Sequence, residues 1–190
     1  MPRALATTCY PVPMAFVFGY GSLVDGHEEQ IACRLEGYRR RFTVAMDNSV
    51  DLPGYKYFVD PGTGERPSVF VAFLNLEPEP DGVVNGVAFP VDDAALAALD
   101  RRERNYVRCD VSAMLREDLG SRAYAFVGRD DAKARFARAQ RDGLAVVSRD
   151  YYEHVRESFG RRGPAALREF DRSTDAPSCP TIPLTRVELA

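Results

Sequence analysis

Two short stretches of this chain carry residue types suited to chemistry. Residues 16–23 read FVFGYGSL, an apolar run that stops at Gly19-Tyr20-Gly21-Ser22. A bare turn does not need two glycines and a serine. A loop whose backbone must come close to a small anionic or carbonyl-bearing ligand does, because glycine lacks the Cβ that blocks the approach. The second stretch is DDAALAALDRRE at 92–103. Leu96, Leu99 and Glu103 stand at i, i+3 and i+7 and share one helix face. That places the Glu103 carboxyl in line with buried leucines at the helix C-terminal end, with Arg101 and Arg102 directed to the other side. Burial and the negative end of the helix dipole both disfavour the carboxylate. The expected pKa is raised, which suits a group that gains and loses a proton near neutrality. The competing reading is a frayed last turn with Glu103 paired to a surface arginine. Asp100, near the same face, reads as a salt-bridge partner or loop anchor.

Other chemistries find few residues to work with. The cysteines Cys9, Cys33, Cys109 and Cys179 are widely spaced, and the only histidines are His27 and His154. No zinc-ligand spacing occurs, and the cysteines read as reduced thiols. Ser22 is not in G-x-S-x-G, and neither histidine is near a motif, so a Ser/His/Asp triad has little to recruit. Gly19-x-Gly21 with Arg39–Arg41 downstream is the start of a dinucleotide fingerprint, but Val24 stands at the third glycine position and no βαβ series follows.

These residues need a framework, and the pattern supplies one. A short buried strand is expected at 15–18, a short helix or loop at 25–35, and a strand at 36–48 carrying GYRRRF, whose arginines read as a solvated face. Residues 49–67 form an irregular excursion with a tight turn near Pro61–Gly64, and Asn48 at its start is a candidate polar contact to a ligand. Strands are expected at 68–76 and 83–91 around a turn at 77–82, then the helix at 92–103 with Asp92 as its cap. Strands at 105–115 and 121–129 precede helices near 131–141, 149–159 and 164–171. Strands mostly precede helices, so the expected class is α+β, a mixed sheet or small barrel with flanking helices.

The chain has 190 residues and a formal net charge of −3. That suits one domain, expected at 15–172, between a flexible leader at 1–14 and an extended tail at 173–190. No basic footprint asks for nucleic acid, and no segment is apolar enough to span a bilayer. LATTC at 5–9 lacks the apolar core of a secretion signal, so the expected location is cytoplasmic, as a monomer or homodimer.

Taken together and in order, YGSL after an N-terminal strand, GYRRRF, VNGVAF and a helix ending in LDRRE resemble the gamma-glutamylcyclotransferase family over about residues 15 to 160. The resemblance implies a small mixed β-barrel flanked by helices. It implies cyclisation of a gamma-glutamyl group to 5-oxoproline with release of an amine, without cofactor or metal. By that resemblance Glu103 is the catalytic carboxyl, and Tyr20, Gly21, Ser22 and Leu23 form the binding loop. Tyr106 matches a tyrosine following the glutamate, and Tyr151 or Tyr152 a later pocket tyrosine. The loop amides would hold either the tetrahedral oxyanion or the substrate α-carboxylate. FGYGSL with GYRRRF leans toward the glutathione-specific branch. Two other functions stand beside this one: a non-catalytic binding module of the same fold, and an NADP-dependent oxidoreductase.

Overall fold

The computed structural model describes residues 15–189. The leader expected at 1–14 therefore lies outside the described residues. The frame is a long antiparallel ribbon of two strands, β2 (Ile31–Asp47) and β4 (Phe70–Val91). β1 (Ala15–Gly19) pairs antiparallel with the second half of β4 and parallel with β6 (Ala123–Gly128), which pairs antiparallel with β5 (Tyr106–Asp110). At the other end of β4, β7 (Ala145–Ser148) and then β8 (Thr181–Ile182) add in parallel. The result is a mixed seven-stranded sheet, accompanied by a two-stranded ribbon of β3 (Lys56–Val59) and β9 (Thr185–Glu188).

Four α-helices flank the sheet: α1 (Asp93–Arg102), α2 (Asp130–Arg141), α3 (Arg149–Arg161) and α4 (Pro164–Arg172). Every residue of β1 is buried, as its unbroken apolar run requires. α2 lays Ala132, Phe136 and Ala139 toward the core, three positions on one helical face. A second, smaller apolar cluster joins Met46, Phe58, Val71, Phe73, Val146 and Leu184, tying the β3–β9 ribbon to the sheet. None of the described helices is long and apolar enough to cross a membrane.

Several boundaries differ from the sequence expectation for identifiable reasons. The segment at 25–35 is neither helix nor loop in its second half. Ile31 to Leu35 pair with Ala88 to Val84 and extend β2. The turn expected at 77–82 is instead a bulge inside one continuous β4. The register jumps from Glu36↔Val83 to Tyr38↔Pro78, so four residues of β4 face none of β2. Gly82 sits where an added Cβ would lie 2.2 Å from the Tyr38 carbonyl oxygen. The strand at 145–148 is four residues long, too short to show a period in the sequence. The 49–67 excursion contains β3. Asn48, expected as a ligand contact, is fully buried as a backbone staple: its amide nitrogen donates to Phe58 O and Pro67 O, both at 2.9 Å, and its oxygen accepts from Phe58 N at 2.8 Å.

The candidate active site

Helix α1 places Glu103 as the spacing implied. Asp92 caps its start, accepting the Ala95 amide at 2.7 Å, and Leu96 is buried beneath it. Glu103 is the C-terminal cap residue, its amide donating to Leu99 O at 2.8 Å. Its side chain is only 18% exposed, and Arg102 Nε lies 3.4 Å from Oε1. Arg102 therefore turns toward the glutamate rather than away from it. Burial pushes the Glu103 carboxyl above the ordinary carboxylate range, while Arg102, Lys56 and Arg186 pull it back. Asp100 pairs with Arg108 at 3.4 Å, on the helix surface.

Glu103 forms part of the wall between two neighbouring cavities. The inner one is a recess of about 30 Å³ bounded by the Tyr20–Leu23 turn, Glu103 and the rings of Tyr106 and Tyr151. The outer one, of about 260 Å³, shares Ser22, Glu103, Tyr106 and Tyr151 and continues under the β3–β9 ribbon. The early glycine turn and the helix-terminal acid, far apart in sequence, thus meet at one site.

The two glycines of the turn do different work. A Cβ on Gly19 would lie 2.6 Å from Leu23 O, where the chain folds back on itself as a single 3-10 turn at Ser22–Val24. A Cβ on Gly21 would come nearest to Tyr151 Oη at 3.6 Å and Leu74 at 3.9 Å, ordinary contacts, and Gly21 lines the recess. Gly19 is required by packing, whereas at Gly21 the structure leaves room for a Cβ.

The rest of the turn is anchored from below. Tyr20, buried, donates its hydroxyl to Phe126 O at 2.6 Å, and its own carbonyl accepts from Arg40 Nε at 2.7 Å. A trans peptide then directs the Gly21 N–H away from Arg40. Arg40 is the middle arginine of GYRRRF and is wholly buried, contrary to the expected solvated face. It lies 4.9 Å from the ring centroids of both Phe159 and Phe170 and also donates to Ser173 Oγ at 2.6 Å and to Asn85. Burial among neutral partners pushes its guanidinium down to about 9. Arg39 and Arg41, which do face outward, both bind Asp175. Arg40 is thus enclosed and its neighbours are engaged, so the run offers no ready reader for a nucleotide phosphate.

Tyr106 and Tyr151 are held by one residue of β4. Tyr106 donates to Leu74 O at 2.8 Å, and Tyr151 accepts from Leu74 N at 3.3 Å. Tyr151 stands in the first turn of α3, whose cap Ser148 accepts the Tyr151 amide at 3.3 Å and donates to Leu184 O at 2.8 Å. Tyr151 lines both cavities, whereas Tyr152 packs edge-on against Phe42, 5.5 Å between centroids, outside them. The sequence reading missed Lys56 and Arg186 on the outer wall, which arrive on the two strands of the small ribbon. Among the described residues no three histidine, cysteine, aspartate or glutamate side chains gather to hold a metal ion. Cys33, Cys109 and Cys179 are free thiols.

The described architecture has known counterparts. A family model described as gamma-glutamyl cyclotransferase, AIG2-like, matches residues 17–153. No curated protein matches the chain in sequence. Among solved structures, a gamma-glutamyl cyclotransferase specific to glutathione from yeast superposes with a TM-score of 0.53 at 15% identity, covering 84% of this chain and 96% of that one. A protein titled gamma-glutamyl cyclotransferase gives 0.51 at 11% identity, covering 86% and 88%. YkqA from Bacillus subtilis gives 0.53 at 15% identity over 88% of this chain, which spans 56% of YkqA's own length.

Proposed function

Since the chain belongs to the gamma-glutamyl cyclotransferase, AIG2-like family, matched over residues 17–153, we propose that it cyclises a gamma-glutamyl compound to 5-oxoproline and releases the amine, with Glu103 moving the proton. The observation that carries this reading is the shared wall: a half-buried carboxyl and a glycine turn with open space at Gly21 border the same recess.

The reaction is intramolecular. The substrate's α-nitrogen attacks its own γ-carbonyl carbon, a tetrahedral intermediate forms, and the bond to the leaving nitrogen breaks. The enzyme's first task is to fold the glutamyl chain into a near-attack conformer, for which enclosure between Tyr106, Tyr151 and the turn is suited. On the way from ammonium to lactam N–H the α-nitrogen gives up two protons. Glu103 carries one of them to the departing nitrogen. Solvent takes the other, and the free amine recovers a proton from solvent once released. A carboxyl with a raised pKa accepts that proton more readily than an ordinary one and still returns it to an amine. The recess beside the turn suits one oxygen-bearing group of the glutamyl unit, with the rest of the substrate in the outer cavity. That group is either the developing oxyanion or the α-carboxylate.

Incubation with a panel of gamma-glutamyl amino acids, peptides and amines, read by mass spectrometry, tests the proposal. The expected product is 5-oxoproline from at least one member, lost in Glu103→Gln. A ligand-induced thermal shift with no product from any member would replace the enzyme with a binding module.

A further inference from the structure

On the strand β3, residues alternate between two faces. Phe58 faces inward and is 2% exposed within the smaller apolar cluster. Lys56 lies two residues earlier on that same inward face and lines the outer cavity. A lysine on an inward strand face is costly unless it has a partner. Lys56 Nζ lies 4.5 Å from the Phe73 ring centroid and 5.4 Å from that of Tyr55, and among the described residues no carboxylate is at ion-pair distance from it. Its desolvation is large enough to push the ammonium down to about 8.

The charges along this cavity do not cancel. Arg102 is paired with Glu103, and Arg186 with Glu188 two residues along β9, where Glu188 stands opposite Lys56 in the ribbon register. Lys56 remains as one cation in excess, on the ribbon side of the outer cavity and not on the inner recess. Resting on the cyclisation reading, the geometry points to a subsite at Lys56 for a carboxylate on the leaving group. The substrate class is then gamma-glutamyl amino acids or peptides, whose released amine carries an acid, rather than gamma-glutamylated simple amines. The glutamyl unit's own α-carboxylate is a poorer occupant. It sits one bond from the carbon bearing the α-ammonium, and binding it at Lys56 would bring that ammonium among Lys56, Arg102 and Arg186. The leaving residue's nitrogen is a neutral amide until release and carries no such penalty.

The test compares gamma-glutamylalanine with gamma-glutamylalanine amide, which differ only at the distal carboxylate, in the intact chain and in Lys56→Met. The wild-type kcat/KM ratio of acid to amide is expected to be roughly 10 to 100, the worth of one charge-assisted contact, and Lys56→Met is expected to lower it at least fivefold. A wild-type ratio near one, or a ratio that Lys56→Met leaves unmoved, overturns the subsite. An unmoved ratio with both substrates slowed alike would assign Lys56 to the α-carboxylate or to tuning Glu103. Calorimetric titration of the same two compounds into Glu103→Gln separates this inference from the reading it rests on. Tighter binding of the acid with no 5-oxoproline from wild type would keep the subsite and remove the cyclisation. Turnover of both compounds without acid preference would keep the cyclisation and remove the subsite.

Discussion

Alanine at each glycine of the turn should produce opposite phenotypes. At Gly19 the new methyl meets the carbonyl oxygen of Leu23 at 2.6 Å and its carbon at 2.8 Å. Ordinary contact begins near 3.4 Å, so main chain on one side of the turn must retreat by most of an ångström. Overpacking of that kind costs about 1–3 kcal/mol. For a chain of this length each kcal/mol lowers the melting temperature by about 2–4 °C. Gly19→Ala should therefore melt several degrees lower, with activity per folded molecule lost only as far as the turn moves. At Gly21 the methyl meets nothing closer than the Tyr151 hydroxyl oxygen at 3.6 Å, but Gly21 lines the recess and the methyl narrows it. A substrate group expelled from that recess by about 1 Å loses its alignment, a displacement worth about 10²-fold in rate, or about 2.7 kcal/mol of barrier. The assay is kcat/KM for 5-oxoproline release at 20 °C or below, where both variants are folded, alongside thermal melts. A folded Gly21→Ala enzyme within threefold of wild type would refute the assignment of the recess to substrate. So would a Gly21→Ala melting loss that accounts for all of its lost activity.

Glu103→Gln keeps the shape and removes the proton carrier, so kcat should fall about 10²- to 10⁴-fold. The same variant makes a pH-dependent stability prediction. Burial raises the folded-state pKa of Glu103, so its contribution to stability is full below the unfolded carboxyl value and is lost as pH rises through the folded one. The melting temperature of Glu103→Gln minus that of wild type should therefore increase from pH 4 toward neutrality, and a flat or falling difference contradicts the burial. Arg40→Met orphans the acceptors Tyr20 O, Asn85 O and Ser173 Oγ at once, at about 1–3 kcal/mol each. Urea denaturation should show a loss of at least about 3 kcal/mol, against no more than about 1 kcal/mol for Arg39→Met. Tyr151→Phe should lower kcat/KM about tenfold by removing a polar group from the recess wall, with Tyr152→Phe indistinguishable from wild type in turnover.

Local period carried the fold a long way. Leu96, Leu99 and Glu103 repeat on one helical face, and that alone placed the carboxyl inward. The run at 15–18 was legible as a buried strand because it is apolar throughout. What period cannot reach is pairing between distant segments. The bulge at Gly37 and the four unmatched residues of β4 depend on register between two strands, so 77–82 reads as a turn when seen alone. β3 and β9 are four residues each and exist because they pair with one another across more than a hundred residues. Neither Lys56 nor Arg186 could be placed at the cavity without that pairing.

Arg40 and Lys56 nevertheless share a signature that the sequence does carry. Each stands two residues before a phenylalanine on the same strand face, Phe42 and Phe58, and each phenylalanine is at most 3% exposed. A cation in step with a buried ring is on the inward face, whatever its flanking residues suggest. The two differ in how their charge is met, and that difference separates their roles. Arg40 is saturated by carbonyl, amide and hydroxyl oxygens and by two aromatic faces, so nothing further needs to bind it, and its task is to hold the Tyr20 carbonyl. Lys56 has rings on one side, open cavity on the other and no anion at ion-pair distance among the described residues. On the proposed reading, the cyclising end of the site is thus fixed by the main sheet through Arg40, Leu74 and Tyr20. The proposed leaving-group end is on a ribbon joined to that sheet through Phe58 and Leu184. Substitutions on the ribbon should therefore change which amine is released more than whether the ring closes.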